Sequence, residues 1–254
     1  MPEDGVQLDL RLEGLPVQVH PALTELGRRT VALIKEDLEG ITVVGSCLTS
    51  DFRPAASDIN TLIVVSDLHP GVLFGIAGLV GRLSDKYKLA DPIITTQDFI
   101  ARTVTEFGIE WLDFQLLHKT IVGPDPLADL SFDKRAVLQE CRAQLKGMLV
   151  RLRQGLLACR ADTNAIQGLV VAAAKALIPV ARALLWLVDL ERPLDRQATA
   201  RQVWEAFGVE LGVLQRIWSW DHSQRPGQGQ VRHAYEQLYS AIDQLGYLAE
   251  DLEV

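Results

Sequence analysis

Cysteine is scarce in this chain. There are only three, Cys47, Cys141 and Cys159. The number is odd and no Cys-x-x-Cys pair occurs, which excludes a disulfide framework and a zinc knuckle and points to a reducing, cytoplasmic setting. Positive charge is also short: 25 Lys and Arg stand against 33 Asp and Glu, a net charge of -8. An extended nucleic-acid surface needs a basic face, so none is expected; a small nucleotide held at one local site remains compatible with this charge. The five histidines are scattered, with no second histidine at ligand spacing from any of them. The amino end, MPEDGVQLDLRLEG, is acidic and has no long apolar run, so no secretory signal is expected there. No fixed-period repeat is present.

Long apolar runs are rare as well, with one exception. AIQGLVVAAAKALIPVARALLWLVDL, residues 165–190, could pass for a membrane helix. Lys175 and Arg182 interrupt it, and each would cost ~2.5–3.5 kcal/mol at a bilayer centre. A core helix of a helical bundle is the expectation, with no membrane partner. The two cations, seven apart, share a helix face and are expected to pair with acids on a neighbouring helix or to snorkel outward.

What is present is apolar residue throughout, 48% of 254, enough for two modest domains. Alternation at Val6, Leu8, Leu10 and Leu12 suggests an edge strand. A helical pattern opens at Pro21 and ends at Gly40. ITVV and TLIVV read as strands, the second buried on both faces. A helix follows over 70–88, then strand PIITT, a short helix over 97–105, and strand IEWLDF. A helix is expected to start near Gln115 and to carry His118, with Asp113 as its cap. GPDP, residues 123–126, stops regular structure. Beyond it no convincing strand appears. Amphipathic helices are expected over 132–160, 164–190, 199–220 and 230–252, with a kink at Pro179 and a loop at SQRPGQGQ. The chain thus divides into an α/β domain, 1–128, and an all-α helical bundle, 129–254.

VVGSCLTSDFRPAASDINTLIVV, residues 43–65, draws attention as chemistry. A strand ending in Gly45-Ser46 lets a backbone approach phosphate oxygens closely. Asp58 and Asn60, two apart on an extended segment, project to the same face. A pair of carboxylates there would hold divalent ions and clamp a triphosphate, and a third acid from a neighbouring strand could take a proton from an attacking hydroxyl. Glu110 and Asp113 in IEWLDF are the acids on offer.

GSCLTSDFRPAASDIN resembles the signature of the polymerase-beta-like nucleotidyltransferase superfamily: Gly-Ser, about a dozen residues, then acidic–apolar–acidic. IEWLDFQLLHKTIVGPDPL is similar to the third-carboxylate strand of small bacterial members. The resemblance spans roughly residues 21–128 and implies a mixed-sheet domain. It further implies that Gly45 and Ser46 meet the triphosphate, that Asp58 is the first magnesium ligand, that Asn60 stands where the second carboxylate belongs, and that Glu110 is the third acid, with Asp113 its alternate.

Asn60 is the departure. An amide can present one oxygen to magnesium but no negative charge, and hard ions favour carboxylates. A loss of ~3–4 kcal/mol of transition-state stabilisation would lower a rate by roughly two to three powers of ten. The expectation is therefore a catalytically impaired nucleotidyltransferase-fold protein. It would bind a nucleoside triphosphate with magnesium and, if active, pass a nucleoside monophosphate to a hydroxyl on a small molecule or protein. The competing expectation is a non-catalytic regulatory or antitoxin-like interaction module on the same fold. A homodimer is compatible with either.

Overall fold

A computed structural model describes residues 10–54, 57–220 and 226–254. Within it the chain divides into two units, residues 1–104 with 114–131, and residues 105–113 with 132–254. The division falls inside one short helix.

The first unit is built on a four-stranded mixed sheet in the order β3-β2-β1-β4. The strands are β1 (Leu38–Val44), β2 (Asn60–Val65), β3 (Ile93–Thr95) and β4 (His118–Val122). β1 runs antiparallel to both β2 and β4, and β2 runs parallel to β3. The central pair is apolar and β-branched, as suits strands covered on both faces. Ile41, Val43, Ile63, Val65 and Ile121 face a core shared with α1 (His20–Ile34) and α2 (Pro70–Tyr87). The opposite face carries Thr42, Leu62, Val64 and Thr95, all buried, with the Thr42 and Thr120 hydroxyls bonded to each other at 2.9 Å. The short helix α3 (Gln97–Arg102) follows β3; the Thr96 hydroxyl caps it by accepting the Phe99 N–H. Gln97 Nε2 donates to Pro126 O, tying α3 to the loop after β4.

Several sequence expectations are revised here. The first helix ends at Lys35, which takes a left-handed φ of 42°, and Gly40 lies in β1 instead of capping that helix. A side chain at Gly40 would sit 3.1 Å from Val122 O, so the glycine serves strand pairing. Of the predicted edge strand, Val6 and Leu8 lie outside the described residues. Leu10 and Leu12 are not in a strand, though Arg11 N donates to Ile121 O at 3.1 Å. IEWLDF is helical: it lies in α4 (Gly108–Leu116). Ile109, Trp111 and Leu112 are buried, a helical spacing, and the Ile109 N–H donates to the Glu140 carboxylate at 2.9 Å. The strand comes immediately afterwards, as β4, and His118 opens it.

The second unit holds α5 (Lys134–Ala158), α6 (Thr163–Leu187), α7 (Arg196–Phe207), α8 (Val213–Ser219) and α9 (Gln228–Asp251). Asp133, Asp162 and Asp195 cap α5, α6 and α7 through their carboxylates. The predicted helix over 199–220 is two helices, because Gly208 turns left-handed at φ 69° and ends α7. α6 runs unbroken through Pro179. It is the one described helix long and apolar enough to cross a membrane, and it is the core helix of this unit. Val170, Ala174, Leu177, Ala181, Leu184 and Leu185 are all inaccessible, packed with residues of α5 and α9.

Arg182 also lies within that helix, 4% exposed. It donates from Nη1 to Asp113 Oδ1 at 2.9 Å, from Nε to Pro193 O at 3.0 Å and from Nη2 to Leu194 O at 2.6 Å. Each of the three guanidinium nitrogens thus has an acceptor. The expectation that this cation pairs with an acid on another helix is met by Asp113, which is an ion-pair partner inside α4 and not the cap of a following helix. Lys175 is exposed.

Candidate functional site

β1 ends at Val44, and its two neighbours there are Asn60 on β2 and His118 on β4. Cross-strand partners share a face, so Asn60, Val44 and His118 form one row at this edge of the sheet. The chain then leaves the sheet at Gly45, whose N–H donates to Leu117 O at 2.9 Å and whose φ is 80°. This left-handed turn, which a glycine adopts without strain, sends residues Gly45–Leu48 into a single 3-10 turn. Ser46 O closes that turn by accepting from the Thr49 N–H and hydroxyl, both at 3.1 Å.

The turn lies against the lead-in to β2. A Cβ on Gly45 would stand 3.7 Å from Asn60 Nδ2, and the Cys47 thiol points at Asp58 O, 3.9 Å away. Cys47 itself is sealed: burial pushes its thiol up to about 11, which leaves it inert as a nucleophile near neutral pH. Asp58 and Asn60 are exposed while Ile59 between them is buried, so period-two alternation sends the two polar side chains to one side and Ile59 into the α1–α2 core. Gly45, Ser46, Asp58 and Asn60 therefore share one end of the sheet.

Glu110 has different company. It lies exposed in the first turn of α4, in the second unit, beside Glu140 of α5. Burial, with the nearby Glu110 charge adding to it, pushes the Glu140 carboxyl up to about 7. The strands flanking β2 are β1 and β3, not the IEWLDF segment. The carboxylate beside β2 that sequence reasoning passed over is Asp91. Ile59 N donates to Lys88 O and Ala90 N to Ile59 O, which draws the segment leading to β3 alongside β2, and Asp91 there is exposed. Its neighbours Ala90 and Pro92 hide it from any motif.

His118 is the other residue the sequence left unassigned. It sits on β4 with 17% of its side chain exposed. Its Nδ1 lies 3.0 Å from Gln115 O and its Nε2 2.9 Å from Asp125 Oδ2. Burial works against the Asp125 carboxylate, but the His118 hydrogen bond and the Leu127 N–H outweigh it and hold that group below its ordinary range. Nothing in the spacing 118–125 announces the pair, because the Gly123 turn folds residue 125 back toward β4.

The donor set limits what metal chemistry fits. Among the described residues no three His, Cys, Asp or Glu side chains converge on a point that could hold a metal ion. One carboxylate at Asp58 and one neutral amide oxygen at Asn60 suit a single magnesium that brings triphosphate oxygens as its remaining ligands. They do not suit a two-ion centre, which needs bridging carboxylates.

No protein-family model matches the chain, and no curated protein sequence does. Among solved structures the chain is similar to spectinomycin adenyltransferase AAD(9) from Enterococcus faecialis, determined with ATP and spectinomycin. The TM-score is 0.50 at 15% identity, over 88% of this chain and 99% of that one. The mixed sheet followed by a helical region is thus a nucleotidyltransferase-like fold.

Proposed function

We propose that the protein binds a nucleoside triphosphate, with one magnesium ion, at the sheet end formed by Gly45, Ser46, Asp58 and Asn60, and that nucleotidyl transfer from it is impaired. The observation carrying this reading is the Val44–Asn60 register. It sets the glycine turn and the two polar side chains of 58 and 60 side by side on an apolar platform. Gly45 offers bare backbone to a phosphate, Ser46 a hydroxyl donor, and Asp58 the one charged metal ligand. Magnesium supplies charge neutralisation of the triphosphate when bound. The neutral amide at Asn60 removes one of the anionic ligands that a two-metal transfer needs. If a hydroxyl acceptor is used, a small molecule or a protein side chain is the class.

The second reading is a regulatory or antitoxin-like interaction module that keeps the fold without the chemistry. The neutral Asn60, together with Asp113 being consumed by Arg182, favours it. Asn60→Asp separates the two. Under the first reading, restoring the carboxylate raises magnesium-dependent triphosphate affinity at least about tenfold, ~1.4 kcal/mol, or yields measurable pyrophosphate release. Unchanged affinity and no release in Asn60→Asp, with the fold intact by circular dichroism, would favour the interaction module.

A further inference from the structure

Gly45 does not hold its left-handed turn alone. Its N–H donates to Leu117 O at 2.9 Å, and Leu117 lies at the corner where α4 ends and β4 begins. The next residue, His118, ties that corner down. Its Nδ1 stands 3.0 Å from Gln115 O and its Nε2 2.9 Å from Asp125 Oδ2. A backbone carbonyl and a carboxylate only accept. Asp125 Oδ1 accepts the Leu127 N–H at 3.0 Å, so the carboxylate cannot turn away without breaking a second bond. A neutral imidazole has one N–H and one lone pair. In either tautomer that lone pair would face an acceptor at hydrogen-bond distance. Only the imidazolium serves both partners. The same corner is bound to the same loop a second time, since Gln115 Nε2 donates to Leu127 O and Leu130 O, both at 3.0 Å.

We propose that His118 is a positioning residue for the Gly45 turn, and that it holds the turn only while both ring nitrogens carry protons. The inference rests on the nucleotide reading of that sheet end and adds its regulation: a site that tightens in mildly acidic solution and slackens as pH rises through the histidine range. The surroundings of the ring leave Asp125 as its charged partner. β1 presents Val44 and β2 presents Asn60 on the same sheet face, both uncharged. Lys119 alternates to the opposite face. α4 closes with Gln115 and Leu116, and the turn Gly45–Leu48 carries no charge. Beyond these, exposed Asp58 stands at the entry to β2, and Arg11 donates to Gly123 O on the loop. The Asp125 carboxyl is held below its ordinary range, so it stays an acceptor wherever the histidine titrates.

Amide hydrogen exchange of the nucleotide-free full chain reads this clasp directly. After correction for the intrinsic rate, protection of the Gly45 N–H should fall about tenfold between about pH 5.5 and about pH 8.5, as one charge-assisted hydrogen bond is lost. His118→Gln should give the low value at both. Asp125→Asn should give the high value at both. An amide there accepts the Leu127 N–H with its oxygen and donates to a neutral Nε2 with its nitrogen, while Nδ1–H keeps Gln115 O. The Asp125 side chain is 38% exposed and the change is isosteric, so this variant decides even where His118→Gln does not fold. A merely structural histidine would show neither the pH profile nor the rescue. Protection that ignores pH in the parent overturns the inference. So does protection that falls with pH in Asp125→Asn as it does in the parent, or that is retained in a folded His118→Gln. Magnesium-ATP titrated at about pH 8.5 then separates the clasp from the ligand. Tighter binding to Asp125→Asn than to the parent supports the link, and equal, measurable binding overturns it. No binding to either, alongside the expected exchange, removes the nucleotide reading while the hold of His118 on Gly45 stands.

Discussion

Gly45→Ala separates what the glycine does for folding from what it does for a ligand. With φ at 80°, an L-residue at this position takes a left-handed conformation that costs about 1–2 kcal/mol. The added methyl meets Asn60 Nδ2 at 3.7 Å, an ordinary contact, so no clash adds to that cost. Urea unfolding should show a lower midpoint with an unchanged slope, equivalent to about 1–2 kcal/mol. Binding should suffer as well. The methyl occupies the space through which a phosphate must reach the bare backbone, so triphosphate affinity measured by calorimetry should fall at least about tenfold, ~1.4 kcal/mol, at a temperature where the variant is fully folded. An alanine variant that binds as tightly as the parent would refute the idea that phosphate lies over Gly45. A stability loss beyond about 4 kcal/mol would instead make Gly45 a folding residue first.

Two further outcomes concern the helical unit. Arg182→Met should destabilise by about 3–5 kcal/mol, because it removes the Nη1 donor of Asp113, which has 12% of its side chain exposed, and leaves Arg192 as the described cation acting on that carboxylate. Adding Asp113→Leu should recover much of that loss in the same unfolding assay, and no recovery would show that the carbonyls of Pro193 and Leu194 dominate. Glu140 is pushed up from 4.5 to about 7 in the folded state. Between those values the folded protein binds more protons than the unfolded one, so this group's contribution to stability falls as pH rises through the window and is fully lost above it. Glu140→Gln should flatten the pH dependence of the thermal midpoint between about pH 5 and 8 and raise that midpoint at the alkaline end; an unchanged profile would mean that Glu140 titrates normally.

The legible parts of the fold are those where local pattern and tertiary environment agree. β1 and β2 are short β-branched apolar runs and α2 opens at Pro70, and the sequence locates them closely. IEWLDF fails because six residues carry too few apolar positions to distinguish a period of two from 3.6; the deciding contacts, Glu140 on the Ile109 N–H and Arg182 on Asp113, come from residues 30 to 70 positions later. β4 is missed because one residue of HKTIV is fully buried, which looks like loop. At the candidate site, Gly45, Ser46, Asp58 and Asn60 lie where β1 ends and the consecutive strand β2 begins, so their spacing in sequence survives as proximity in space. Asp91 and His118 reach that end of the sheet only through strand order, which spacing does not encode. Residues 105–113 group with the helical unit, a swap that no local signal marks.

The most direct test is calorimetric titration of the unmodified chain with ATP, GTP, CTP and UTP, each with and without magnesium, beside Asp58→Ala. Magnesium-dependent binding of at least one triphosphate, weakened about tenfold or more in Asp58→Ala, is the expected result. Binding of none of them, or binding that ignores the loss of the Asp58 carboxylate, would contradict the account.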